Sequence, residues 1–136
     1  MKILVVGGAG YIGAHTVLEL LDCNHSVVVF DDFSTGKILN IDKRAKVFKG
    51  DILSKNDLHR VFKENEFDAV MHFSALKAPS ESMIAPHIYS ETNIIGSINV
   101  LNQMLKSKVF KFIFSSSSSV YGEPIKPFID EDHPLN

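Results

Sequence analysis

The sequence predicts an α/β fold, a doubly wound parallel sheet with strand order 3-2-1-4-5, and two observations carry that expectation. Short apolar runs alternate with helix-like segments, and the first run ends in a glycine-rich turn, "GGAGYIG", that opens the first helix. Runs that are apolar throughout, rather than at every second residue, are what strands covered on both faces of a parallel sheet look like. Strand, helix and strand in repetition imply right-handed crossovers, with helices on both sides of the sheet.

The elements follow in order. "ILVV" at 3–6 is the first strand. A helix from about Tyr11 to Cys23 comes next, with Ile12, Thr16 and Leu20 beside Gly13, Val17 and Leu21 stepping along one side. Asn24 suits the left-handed cap that ends such a helix. "VVVF" at 27–30 is the second strand and the weaker "KVF" at 46–48 the third. Ser54 and Asp57 resemble a capping box, opening a helix whose Leu58, Val61 and Phe62 face inward. "AVMHF" at 69–73 is the fourth strand. A long helix from about Pro86 to Lys106 then carries Ile94, Ile98, Leu101 and Leu105 at helical spacing, and "FIF" at 112–114 is the fifth strand, buried like the others.

The bulk properties narrow the function classes. A chain of 136 residues fits one domain, and domains near this size bury roughly 70% of their unfolded surface. The net charge of −2, with acidic and basic residues mixed along the chain, lacks the basic footprint that nucleic acid selects. The single cysteine, Cys23, excludes an internal disulfide framework. No apolar run approaches the ~18 residues that span a bilayer, and the opening "MKILVVGG" has no leader-like segment. The expectation is a cytoplasmic protein with no membrane partner. The six histidines show no metal-ligand spacing, so no metal is expected.

The glycine turn carries the chemistry. Gly7, Gly10 and Gly13 form G-x-x-G-x-x-G between a strand and a helix. The first glycine permits the tight turn, the second lets a pyrophosphate approach the backbone, and the third lets helix and strand pack closely. The helix N-terminus then favours the anionic phosphates. The second strand ends in "FDD", and Asp31 follows Gly13 by 18 residues. A carboxylate there accepts hydrogen bonds from the adenosine ribose and repels the 2′-phosphate of NADP, so NAD is the expected cofactor. Asp32 shares that position.

The three-residue glycine spacing resembles that of the short-chain dehydrogenase/reductase superfamily, with its Rossmann-like sheet, and in particular its extended branch. "GGAGYIGAHT", "FDDFSTG", "GDI" at 50–52, "HFSALKAPSES" at 72–82, "NIIGSINVL" at 93–101 and "FIFSSSSSVYGEP" at 112–124 are similar, in order and spacing, to UDP-glucose 4-epimerases. The resemblance covers nearly the whole chain, and the lysine of "ALKAPSES" is its most specific feature.

The resemblance implies a set of roles. Gly7, Gly10, Tyr11, Ile12 and Gly13 would hold the pyrophosphate. Asp31 would bind the adenosine ribose, with Asp32, Ser34, Thr35 and Gly36 lining that side. Asp51 and Ile52 would contact adenine, through a carboxylate to its amine and an apolar wall. Phe73, Ser74, Ala75 and Lys77 match the segment under the nicotinamide half, and Lys77 and Asn93 would bind the nicotinamide ribose or the diphosphate. Ser115 and Ser116 match positions beneath the cofactor. Ser117 matches the catalytic hydroxyl residue, which bonds the 4-hydroxyl of the UDP-sugar, and Ser119, like Lys77, is a substrate contact.

The family's base is the tyrosine of a Tyr-x-x-x-Lys motif. Tyr11, Tyr89 and Tyr121 are the only tyrosines, and none has lysine four residues on. "EDHPLN" at 131–136 resembles the lead-in to the helix that carries the motif. Residues 1–136 therefore read as the NAD-binding domain of a longer enzyme, without the family's nucleotide-sugar domain, inactive alone and binding NAD weakly at best. The full-length family members are commonly homodimers. Val6 replaces the usual threonine before the first glycine, and Pro79 and Ser80 replace the common Val-Gly. Two other enzymes of the superfamily are alternatives, an epimerase of another nucleotide-sugar and a 4,6-dehydratase; the latter carries Asp-Glu where Ser118 and Ser119 stand here. A non-catalytic NAD-binding module is the alternative of another class.

Overall fold

Five strands, β1 (Lys2–Val6), β2 (Ser26–Asp31), β3 (Lys46–Lys49), β4 (Ala69–His72) and β5 (Phe112–Phe114), pair in parallel in the computed structural model, which describes residues 1–135. Their spatial order is β3-β2-β1-β4-β5, as the sequence predicts. Among the described residues the α-helices are α1 (Tyr11–Asp22), α2 (Lys55–Lys63), α3 (Pro79–Ile84), α4 (Pro86–Ser90) and α5 (Ser97–Lys106), of which α1, α2 and α5 pack on the sheet. Asn136, the last residue of "EDHPLN", lies outside the described residues.

The register sets the position of the site. Phe48, Phe30, Val6, His72 and Phe114 form one row across all five strands. The next row, Lys49, Asp31, Gly7, Phe73 and Ser115, therefore marks the carboxyl edge of the sheet along one line. That edge is where ligands of open parallel sheets bind.

The core lies on both faces of the sheet. On one, Leu4, Val6, Val28, Phe30 and Val70 pack with Leu58, Val61, Val100 and Met104 from α2 and α5; on the other, Ile3, Val5, Val27 and Val29 pack with Val17 of α1. Each such side chain contributes about 1.5–3 kcal/mol by leaving water. The helix ends are also built as expected. Ser54 accepts from the Asp57 N–H, although the Asp57 carboxylate returns its bond to Asp51 N–H rather than to Ser54. Asn24 sits at φ 62°; its N–H donates to Leu21 O, and that of His25 to Leu20 O. The doubled bond relieves the orphan carbonyls at the end of α1.

Two expectations fail. The segment from Pro86 to Lys106 is not one regular helix, because a π turn, Glu91–Gly96, separates α4 from α5. Its apolar stripe faces outward: Ile94 is 56% exposed and Leu105 63%, while Gly96, Asn99, Val100, Gln103 and Met104 are buried. The inner face must come close to Ile52, where a Cβ on Gly96 would lie 2.5 Å from Ile52 Cδ1. Lastly, β5 is not buried. Ile113 and Phe114 are exposed, because β5 is the edge strand and no element among the described residues covers it.

Candidate functional site

The glycine turn joins three strand ends. Gly7 has φ 77°, its N–H donates to Phe30 O at 2.8 Å, and a Cβ there would lie 2.6 Å from Ser74 N. A Cβ on Gly13 would overlap the Gly7 carbonyl oxygen. Backbone conformation and packing thus require glycine at position 7, and packing requires it at position 13. Gly10 differs, since a Cβ there meets nothing nearer than Gly7 O at 3.5 Å. The protein leaves that space open, and beside it Tyr11 and Ile12 are exposed in a first helical turn that no side chain caps. Unpaired N–H groups at such a helix start attract an anion.

Asp31 is held from two sides. It is 8% exposed; Oδ2 accepts from Ala9 N–H and Oδ1 from Phe33 N–H, each at 2.9 Å. Each carboxylate oxygen retains a further lone pair for a hydroxyl donor. The same loop secures the back of the glycine turn: Gly36 packs on Ala9, and Asn40 Nδ2 donates to Ala9 O at 3.1 Å. Sequence reasoning missed Ala9 and Asn40, for which no local pattern exists. Asp32 turns aside, its Oδ1 accepting from the Ser34 N–H and hydroxyl. Thr35 is exposed on a groove of about 620 Å³ that Tyr11, His15 and Lys37 also line. The nearby Arg44 guanidinium, hydrogen-bonded to Asp42, holds that carboxyl down at about 2.

Asp51 and Ile52 part company. Asp51 is half-buried and accepts from Leu53 N–H at 2.8 Å. Ile52 is 5% exposed and packs in the core beneath Gly96, while its carbonyl accepts from Asn99 Nδ2 at 3.2 Å. The Ile52 side chain is thus buried against Gly96 of the π turn.

The β4 end continues through Phe73, whose N–H donates to Val6 O, to half-buried Ser74 against Gly7, then to exposed Ala75 and Lys77. Asn93 reaches this loop from the π turn. Its Oδ1 accepts from Leu76 N–H at 2.8 Å and its Nδ2 donates to Leu76 O at 2.9 Å. Each amide atom keeps one further hydrogen-bonding position, a lone pair on Oδ1 and an N–H on Nδ2. His72, 1% exposed, pairs through Nε2 with Ser97 Oγ at 2.8 Å. Burial pushes its ring down to about 4, so it is neutral near pH 7.

The serine run emerges alongside. Ser115 N–H donates to His72 O at 3.1 Å, adding one rung beyond β5. Ser117 then caps a short 3₁₀ turn, Ser118–Tyr121, its Oγ accepting from Ser119 N–H at 3.1 Å. Ser116, Ser117 and Ser119 are exposed, and no hydrogen bond joins them to Lys77 among the described residues. Gly7, Asp31, Ser74 and Ser115 thus share one edge, with Ser117 and Ser119 on a turn two residues beyond it.

The chain was compared with known proteins. Residues 3–136 match the NAD dependent epimerase/dehydratase family. A UDP-glucose 4-epimerase of Haemophilus influenzae is 43% identical over 97% of this chain and 41% of its own length. A crystal structure of a UDP-glucose 4-epimerase superposes with a TM-score of 0.89 at 42% identity, over 100% of this chain and 41% of that one. The enzyme from Bifidobacterium longum, solved with NAD+ and UDP, superposes at 0.88 and 36% identity, over 100% of this chain and 43% of that one. The chain spans about 41% of the length of the first relative it matches. On the strength of a glycine turn and acid-ended second strand set in a 3-2-1-4-5 sheet, and of a match over residues 3–136, the chain belongs to the NAD dependent epimerase/dehydratase family.

Proposed function

We propose that this chain is the NAD-binding domain of a UDP-glucose 4-epimerase, which interconverts UDP-glucose and UDP-galactose by transient oxidation at C4 of the sugar. The observation that carries the reading is the open space at Gly10 beside the doubly held Asp31, on the edge where all five strands end. A pyrophosphate fits the first, and a ribose diol fits the second.

Tyr11 and Ile12 bind the pyrophosphate through main-chain N–H groups, and the bare Cα of Gly10 gives it room. Asp31 accepts from the adenosine ribose, and its negative charge disfavours a 2′-phosphate. Asp51 faces adenine with its carboxylate, and Phe73 to Lys77 support the nicotinamide half. NAD, when bound, supplies the hydride acceptor and donor at C4. Ser117 orients the sugar 4-hydroxyl, and Ser119 and Lys77 contact the substrate. The proton acceptor is none of Tyr11, Tyr89 and Tyr121, since none of them has the lysine four residues on that accompanies the base of this family.

The reading extends to a cytoplasmic homodimer. No helix among the described residues is long and apolar enough to cross a membrane. The outward stripe of Ile94, Ile98, Leu101 and Leu105 offers a second copy an apolar face. The test is conversion of UDP-galactose to UDP-glucose by the full-length protein, read beside NAD binding. Protein that binds NAD but converts neither sugar would refute the enzyme and leave the binding module.

A further inference from the structure

We infer that His72 and Ser97 are positioning residues of the cleft, acting through Asn93 on the peptide of Leu76; the inference rests on the reading of that cleft as an NAD site. Ser97 Oγ lies 2.7 Å from the Asn93 carbonyl oxygen and 2.8 Å from His72 Nε2. A carbonyl only accepts, so the serine proton points to Asn93, and His72 must donate from Nε2. The three groups form a chain with one direction, from His72 to Ser97 to the main chain of Asn93.

The tautomer is fixed as a result. His72 Nδ1 is left as a bare acceptor, buried and without a partner among the described residues. An unsatisfied buried acceptor is costly in a core. A position filled only for packing would be served by an apolar side chain, and His72 lies against Phe112 and Phe114, with ring centroids 6.2 and 5.7 Å away. The hydrogen bond to Ser97 is what the imidazole adds.

That bond acts on the π turn. Asn93 belongs to it, and such widened turns concentrate at functional sites. The main chain of Asn93 is fixed by Ser97, and its side chain holds both polar atoms of the Leu76 peptide, 17 residues away in sequence. Leu76 lies between Ser74, which abuts Gly7, and Lys77. The other side of the same helical segment is anchored to the adenine-side loop, by Gly96 against the Ile52 side chain and by Asn99 on the Ile52 carbonyl. The segment thus ties the two ends of the cleft together, and the His72–Ser97 pair governs the nicotinamide end.

The experiment uses the full-length protein with Ser97→Ala and Ser97→Thr, the second retaining a hydroxyl on the same carbon. Amide hydrogen exchange is followed at Val70, Phe73 and Leu76, and NAD dissociation constants are measured by titration. Ser97→Ala should speed exchange at Leu76 and weaken NAD roughly tenfold, the loss of about one hydrogen bond. Val70 and Phe73 should stay protected, and Ser97→Thr should restore both readouts. Unchanged Leu76 exchange in Ser97→Ala overturns the assignment, as does equal loosening at Val70, which would mark a general packing role. Wild-type protein that binds no NAD removes the reading of the cleft and the assignment with it. NAD binding with an indifferent Leu76 removes the assignment alone.

Discussion

Asn93 and the peptide of Leu76 are paired in both directions, at 2.8 and 2.9 Å, like two residues of neighbouring strands. A side chain from the π turn thereby stands in for a strand at the point where β4 has ended, and the loop to α3 is held at the mouth of the cleft. The mouth is shaped by a contact between residues that no local sequence pattern connects.

Removing that pair should loosen the loop measurably. Asn93→Ala is expected to cost about 1–2 kcal/mol in urea unfolding, the range for losing bonds to partly buried polar groups. Asn93→Asp, which sets a carboxylate against the Leu76 carbonyl, should cost at least as much. Unfolding midpoints compared at equal m-values check both, and an Asn93→Ala protein of wild-type stability would show that the pairing is idle.

The glycines should separate by readout. Gly13→Ala forces a methyl group onto the Gly7 carbonyl and is expected to destabilise the fold by about 1–3 kcal/mol. Gly10→Ala meets no such obstacle, so its stability should fall by less than about 1 kcal/mol, while NAD binding should weaken at least tenfold. Thermal unfolding with and without NAD distinguishes the two.

His72 makes stability depend on pH. Its ring is held neutral down to about 4 in the folded state by burial, whereas in the unfolded chain it takes up a proton below about 6.5. Protonation therefore favours unfolding. The full contribution is present above pH 6.5 and is lost as pH falls to 4, on the order of 3 kcal/mol across that window. Urea unfolding at pH 7 and 4.5 should show a smaller loss for His72→Gln than for wild type. Equal losses would mean that His72 is not the titrating group.

Much of this architecture was legible in the residues. Gly7, Gly13 and Asp31 could be assigned because a strand-turn-helix context and a fixed separation constrain them together, and continuous runs such as "VVVF" mark strands covered on both faces. The outward face of the Pro86–Lys106 segment could not be read, because Ile94 and Leu105 obey the same periodicity whether they meet the sheet or another surface. Exposed β5 has the composition of a buried strand, since β-forming residues do not encode which strand lies at the edge. Neither the pairing of the Asn93 amide with Leu76 nor the packing of the Ile52 side chain on Gly96 could be read beforehand. Such long-range contacts leave no trace in spacing.

The central claim is that this fold carries NAD for oxidation at a sugar C4, with Ser117 at the reacting hydroxyl. The most direct measurement is turnover of UDP-galactose by the full-length protein beside its Ser117→Ala and Asp31→Ala variants, with retained NAD assayed in each. The account predicts that Ser117→Ala keeps its NAD and loses roughly 100-fold or more in rate, in the range of a positioned catalytic group, whereas Asp31→Ala loses NAD first. Equal losses of NAD and rate in both variants, or full activity in Ser117→Ala, would contradict it.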